Sequence, residues 1–358
     1  MKPFEINIPQ SDIDDLHRRL DQTRWPDSPK GASWAQGTPK DHLQELVRAW
    51  RDFDWREQER RLNKIPQFVA EIDGTQLHFI HVKSPNENAR PLLLTHGWPA
   101  TGFAFEEMIE PLSHDFHLVI PSVPGFGFSG PTKELGWTIP RVARMFSQLM
   151  KQLGYETYFA HGYDYGAMLT RQLGMLDEVE AIHVNQIFSA GVTQETADMT
   201  VEAERRSAEK AYKYDFEQSG YMVMQSTRPQ SVAYALTDSP VAQLEWIEWA
   251  FHVWSDPEVG VPLDALLLNV SIFWFTRTAG SSARYYQEGD ETWGELEPVS
   301  PTPTSVAVFP HDGGVPIRRM AERNHNIVRW TEMQQGGHFA ALEVPELMVQ
   351  ELREAFLL

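Results

Sequence analysis

An aspartate stands at the centre of Gly162-Tyr163-Asp164-Tyr165-Gly166. The spacing is that of a strand-to-helix nucleophile turn, G-x-S-x-G, with a carboxylate in place of the serine hydroxyl. Such a turn projects its central side chain forward, at the N-terminus of the following helix, where the helix dipole favours the ionised acid. A carboxylate that attacked an amide would form a mixed anhydride of high energy. Attack on a strained or activated C–X bond at saturated carbon leaves an alkyl ester instead. Water must then split that ester at the carboxyl carbon, which takes a base and donors for the oxyanion.

The rest of the chain offers both. His338 lies in Gly336-Gly337-His338-Phe339, after the last predicted strand. Asp312 follows the strand TSVAVFP, where it can orient and charge-stabilise an imidazole. His96-Gly97-Trp98-Pro99 follows the apolar run PLLLT, so the backbone N–H groups of Trp98 and Tyr165 can converge on a carbonyl oxygen of Asp164. Each piece alone has a plainer reading. G-x-D-x-G is commonly a turn, GGHF a glycine turn with an exposed histidine, HGWP a proline-ended turn, and an aspartate after a strand a helix cap. Together they stand in the order nucleophile, acid, base, each at the C-terminal end of a predicted strand, where open α/β sheets bind ligands. That order is the one used by the α/β-hydrolase fold.

The elements that must carry these residues follow from periodicity. Residues 11–25 open with Ser11 and Asp14, a capping-box pattern, with Ile13, Leu16 and Leu20 on one face. Leu43, Leu46, Val47 and Trp50 predict a second helix near 40–53. QFVAEI and TQLHFIHV read as two strands around the turn Asp73-Gly74. From there strands (PLLLTHG, FHLVIPSVPG, TYFAHG, VEAIHVNQI, TSVAVFP, NIVRWTEM) alternate with helices (RVARMFSQLMKQLG, AMLTRQLGML, EVPELMVQELREAF). The alternation predicts an α/β class protein with a mostly parallel sheet flanked by helices. Residues 193–298 break the rhythm with helical, Trp- and Tyr-rich sequence. The expected organisation is an N-terminal helical extension (1–67), a first part of the core (68–192), a helical cap over the active face (193–298) and a second part of the core (299–358).

Composition narrows the function. Lys and Arg total 31 against 50 Asp and Glu, a net charge of −19, and a phosphate backbone would be repelled by such a surface, so nucleic acid is not an expected partner. With no cysteine, disulfides, thiolate catalysis and Cys-based zinc sites are excluded. No metal or cofactor is expected. No apolar run is long enough to span a membrane and no secretory signal opens the chain, so the expected location is cytoplasmic. Oligomeric state stays open, a homodimer included. Gly125-Phe126-Gly127-Phe128-Ser129-Gly130 matches a dinucleotide fingerprint, but it runs into Pro131 rather than a helix. Asn269-Val270-Ser271 matches a glycosylation acceptor without a secretion signal beside it.

HGWP, PSVPGFGFSG, the aspartate turn, FPHD and GGHFAALE together resemble the microsomal-type epoxide hydrolases. The opening PFEINIPQSDIDDLHRRLDQTRWPD resembles the N-terminal domain that those enzymes carry. The resemblance implies a small-molecule epoxide substrate, water as cosubstrate, a vicinal diol product and an aspartyl ester intermediate. It also implies two cap tyrosines that hydrogen-bond the epoxide oxygen: Tyr221 in SGYMVMQSTRP and Tyr286, before Tyr285, in SSARYYQEGD. A phenol can donate to an alkoxide as charge develops on that poor leaving group. Tyr165 stands where members often have tryptophan, and His161 where small residues are common. Two rival readings stay in view. A haloalkane dehalogenase shares the nucleophile but cradles halide with N–H donors, typically an indole beside the nucleophile. A catalytically silent hydrolase-fold binding protein would usually lack a triad member.

Overall fold

A computed structural model describes residues 1–187, 192–289 and 298–357. Among these residues nine strands form one sheet in the order β1-β2-β3-β5-β4-β6-β7-β8-β9. The strands are β1 (Lys2–Pro3), β2 (Gln67–Ile72), β3 (Thr75–Val82), β4 (Arg90–Thr95), β5 (Phe116–Pro121), β6 (Tyr158–Gly162), β7 (Val179–Val184), β8 (Ser300–Val308) and β9 (His325–Glu332). β1 to β3 pair antiparallel, as does β3 with β5. From β5 to β9 every pairing is parallel, as the strand–helix alternation requires. The protein has the α/β-hydrolase fold.

Local sequence explains most of these elements. Ile72 pairs with Thr75 across a two-residue turn in which Asp73 and Gly74 both have positive φ (51° and 71°), the geometry that suits the twist of a hairpin. Five of the six residues of β4 are buried, and all five of β6. Strands covered on both faces by helices carry continuous apolar runs rather than alternation. The amphipathic stretch RVARMFSQLMKQLG forms most of the helix Ile139–Gln152, and its Val142, Met145, Phe146 and Leu149 are buried.

Two local expectations fail. The first helix runs from Gln10 to Asp21 and is entered from Pro9, not capped by Ser11. Ser11 lies inside the helix and turns its hydroxyl to Asp12, while Gln10 reaches Asp14. Proline before the first turn fixes an extended entry, so the helix starts earlier than a cap at Ser11 would allow. The N-terminal extension is also not wholly helical, because Lys2 and Pro3 add a short edge strand to β2.

Between β7 and β8 lies a run of helices from Glu202 to Glu288, including Gly220–Thr227, Pro240–Trp254, Leu263–Thr276 and Ala279–Glu288. Their apolar residues continue the core, with Leu244, Ile247, Phe251, Trp254, Val270 and Phe273 buried. The last residues of the expected insertion, 290–297, lie outside the described residues. The glycine-rich loop at 125–130 opens no helix of the dinucleotide-binding kind. Its Gly125 carbonyl accepts from the Ser281 hydroxyl (2.5 Å) and its Gly127 N–H donates to the Thr278 hydroxyl (3.1 Å), so it seats the helix that bears Tyr286. Asn269 is buried and donates to the Pro99 carbonyl (2.7 Å), which ties another of these helices to the HGWP loop and keeps the side chain from modification.

Candidate active site

Asp164 is the second of the two residues, Tyr163 and Asp164, that turn the chain from β6 into the helix Tyr165–Leu173, and it has φ 53° and ψ −129°. A positive φ at a non-glycine residue costs of order ~1–3 kcal/mol and persists only where the surroundings enforce it. Here the flanking glycines let them do so. A Cβ on Gly162 would collide with the Gly166 carbonyl, and one on Gly166 with the Thr95 carbonyl of β4. A Cβ on Gly97 would strike the Asp164 carboxylate itself. The close approach brings the Trp98 N–H to Asp164 Oδ1 at 2.8 Å. Tyr165, the second expected donor, opens the helix directly after Asp164, but the Asp164 side chain takes no capping bond from that helix. His96 fixes the loop: its Nε2 accepts from the Val123 N–H (3.1 Å), so Nδ1 carries the proton towards the Gly97 carbonyl (3.2 Å). Burial pulls the His96 pKa down to about 4, and the ring stays neutral.

His338 comes from the loop after β9. Gly336 adopts φ 97° and donates its N–H to Asp256 (2.9 Å), while the His338 N–H donates to the Trp254 carbonyl (2.9 Å). A Cβ on Gly337 would meet that same carbonyl, so its glycine is demanded by the approach of this loop to the end of the helix Pro240–Trp254, and that of Gly336 by its positive φ and the close Val344 side chain. The imidazole is buried. Its Nδ1 lies 2.9 Å from Asp312 Oδ1 and its Nε2 points at Asp164 Oδ2, 3.5 Å away, with no hydrogen-bond partner. Burial pulls the His338 pKa down, but the Asp312 and Asp164 carboxylates on its two sides outweigh that and push it up to about 10.

Asp312 is held from two further directions. Gln186, after β7, donates Nε2–H to Asp312 Oδ1 at 2.6 Å. Lys210, on the helix Glu202–Lys213, donates to the carbonyls of Pro310 (2.7 Å) and Asp312 (2.8 Å). Glu343 accepts from the N–H groups of Asp256 (2.7 Å) and Phe339 (2.9 Å) and so braces the histidine loop, and burial pushes its pKa up to about 7.

Of the two expected tyrosines, Tyr221 lines the cavity that also holds Asp164 and His338. The Tyr221 ring stacks on Trp98 with centroids 4.9 Å apart and planes 6° apart. Tyr286 stands edge-on to both, 5.7 Å from Trp98 and 5.6 Å from Tyr221. Tyr285 points elsewhere, packing edge-on against Tyr165 (4.7 Å). Burial raises the Tyr221 and Tyr286 phenols well above their ordinary range, which keeps both as neutral donors. Tyr214 hydrogen-bonds Tyr221 hydroxyl to hydroxyl at 2.7 Å. Asp164, His338, Tyr214, Tyr221 and Trp254 share a cavity of about 330 Å³ that Val192, Val315 and Pro316 also line. That volume falls at the lower end of small-molecule sites.

Sequence reasoning therefore placed Asp164, Asp312, His338, Trp98, Tyr165, Tyr221 and Tyr286 in a region that the fold brings together. It missed Gln186, Lys210, Tyr214 and the carboxyl of Glu343. A buried polar side chain just after a central strand was the only signal for Gln186. GGHFAALE contained Glu343 without disclosing its contact.

Residues 1–105 match the family described as Epoxide hydrolase N terminus, and residues 90–345 match the alpha/beta hydrolase fold. The chain is 40% identical to a putative epoxide hydrolase of Stigmatella aurantiaca, over 99% of this chain and 84% of that one. It is 31% identical to epoxide hydrolase 1 of Sus scrofa, over 99% and 88%. The solved structure of Aspergillus niger epoxide hydrolase superposes with a TM-score of 0.91 at 30% identity, covering 99% of this chain and 95% of that chain.

Proposed function

The chain belongs to the epoxide hydrolases, and we propose that it performs their reaction through Asp164, with His338 and Asp312 as base and orienting acid and Tyr221 and Tyr286 as donors to the epoxide oxygen. The observation that carries this reading is the line Asp312 Oδ1–His338 Nδ1 (2.9 Å), His338 Nε2–Asp164 Oδ2 (3.5 Å), at a cavity that Tyr221 also lines.

The resting site holds an Asp164 carboxylate beside a His338 imidazolium, since the flanking carboxylates keep that proton on the ring. Asp164 attacks an epoxide carbon in the back-side direction, the C–O bond breaks, and the released oxygen takes a proton from a tyrosine. Esterification deletes the charge on Asp164. The imidazolium loses one of its two anionic neighbours, and its pKa falls. The proton it then releases balances the one that the tyrosine gave. Neutral His338, held in one tautomer by Asp312, takes a proton from water as the water oxygen adds to the Asp164 carboxyl carbon. The oxyanion forms against the Trp98 N–H, already 2.8 Å from Oδ1. The tetrahedral adduct collapses, His338 protonates the departing diol, and the Asp164 acid returns its proton to His338. Two neutral phenols as donors suit an oxygen leaving group better than a halide.

His338→Gln leaves Asp164 free to attack but removes the base, which is worth about 10²–10⁴-fold in such steps. Incubated with a reactive epoxide such as styrene oxide, this variant should gain intact mass equal to one substrate, located by peptide mapping on Asp164. An unmodified chain, with any epoxide that the native protein turns over, would refute the ester pathway.

A further inference from the structure

We infer that Tyr214 is a positioning residue for Tyr221 and stabilises the charge that ring opening leaves on the Tyr221 oxygen; the inference rests on the ring-opening reading above. Its hydroxyl lies 2.7 Å from that of Tyr221 and also reaches the weak acceptor Met222 Sδ at 3.7 Å. The backbone is shaped to put it there. Tyr214–Gln218 forms a π-turn between the helices Glu202–Lys213 and Gly220–Thr227, a geometry that re-aims a side chain at functional sites. Its neighbours Tyr212 and Phe216 remain 53% and 74% exposed, while Tyr214 turns inward and lines the cavity with Asp164 and Tyr221.

The chemistry follows from counting protons. Tyr221 has one hydroxyl proton. Once that proton points at the epoxide oxygen, the Tyr221 oxygen can only accept, and Tyr214 is placed to donate to it. When the C–O bond breaks, its electron pair stays on oxygen and the Tyr221 proton moves to that oxygen. Negative charge is left on the Tyr221 oxygen, and the Tyr214 O–H donates to it. A hydrogen bond to a charged oxygen is stronger than the neutral bond before reaction, so the contact favours the transition state over the ground state.

Tyr214→Phe keeps the ring and removes the donor. Loss of one charge-assisted bond should slow ring opening about tenfold or more in single-turnover experiments with styrene oxides, and leave ester hydrolysis within about twofold. The deficit should shrink for ring-substituted or halomethyl epoxides whose alkoxide is less basic, because they place less demand on Tyr221. In a Tyr221→Phe background, where Tyr286 alone donates, Tyr214→Phe should change ring opening by less than about twofold. A melting curve matching the native protein accompanies each comparison. The inference is overturned if Tyr214→Phe opens epoxides at the native rate. It is equally overturned if opening and hydrolysis slow together without altered leaving-group dependence, or if the loss persists beside Tyr221→Phe. In those cases native protein still forms the Asp164 ester, whereas failure of the ring-opening reading itself would appear as absence of that ester.

Discussion

At the scale of the residue, the proposed mechanism asks one imidazole to hold a proton at rest and to act as a base once the ester has formed. His338 lies between Asp312 and Asp164, and burial opposes the charge that these two carboxylates enforce, with a resting pKa of about 10 as the outcome. A histidine that stayed there would be a poor base at neutral pH. The proposed ester removes one anion at the moment when a base is needed, so the pKa of His338 should fall during turnover. The hydrolysis rate constant, followed against pH in single turnovers, should rise along an acid limb whose midpoint lies clearly below 10. A midpoint at the resting value would mean that esterification does not release the proton. Gln186 belongs to the same scale. Its Nε2–H bonds Asp312 Oδ1 at 2.6 Å, the oxygen that also faces His338. Gln186→Leu should leave a buried carboxylate short of one donor and slow hydrolysis by roughly five- to thirtyfold, while ester formation changes little. The nucleophile, base and acid could be read in the sequence because glycine doublets and turn spacings are local marks. Gln186 could not, because its part depends on a partner 126 residues away.

At the scale of the element, tight turns and a clasp between helices and sheet do the positioning. The nucleophile corner depends on Gly162 and Gly166, whose missing Cβ atoms let β4, β6 and the following helix meet. Gly166→Ala forces a methyl into the Thr95 carbonyl of β4, and rigid backbone cannot yield as a side chain would. The variant should lose at least ~1–3 kcal/mol of stability, seen as a lower melting temperature together with lost ester formation. Across the clasp, Lys210 holds the carbonyls on either side of His311, and Trp254 and Asp256 hold the loop of His338. Burial lowers the Lys210 pKa, but its reach to two carbonyls gives the ammonium its partners. Lys210→Met keeps the aliphatic stem and frees the Asp312 loop. Ester hydrolysis should slow more than ester formation, so that the steady-state fraction of alkylated protein rises in quenched-reaction mass spectra. Strand and helix positions were legible from apolar runs and amphipathic spacing. The capping pattern at Ser11 misled because Pro9 already sets the entry, and the π-turn at Tyr214 has no sequence mark that separates it from a regular helix.

At the scale of the whole molecule, the parallel half of the sheet carries a chain of polar side chains that links four elements. His161 of β6 meets His183 of β7 ring to ring (Nδ1 to Nδ1, 3.0 Å). His183 faces Glu351 at 3.6 Å, and Arg329 of β9 donates to Glu351 at 3.0 Å. Burial raises the Glu351 pKa, but the His183 ring and the Arg329 fork reverse this and hold it down to about 2. A depressed carboxyl contributes stability above its unfolded pKa near 4.5 and loses it as pH falls towards about 2. Glu351→Gln should therefore narrow the gap between the melting temperatures at neutral pH and at pH 3, chiefly by lowering the neutral value. An unchanged gap would show that the chain does not couple protonation to folding. The His161 position, noted in the sequence only for its unusual size, is thus part of a network that joins β6 to β9 and the helix Pro345–Leu357. That network could not be foreseen, because its members come from four separate elements.

The central claim is a transient bond between Asp164 and substrate carbon, and single turnover in heavy-oxygen water with enzyme in excess over styrene oxide tests it most directly. Water that attacks the Asp164 carboxyl carbon leaves its oxygen in the protein, so the account predicts label in the peptide bearing Asp164 and none in the diol. Label in the diol with Asp164 unlabelled would mean direct attack of water on the epoxide and would contradict the account.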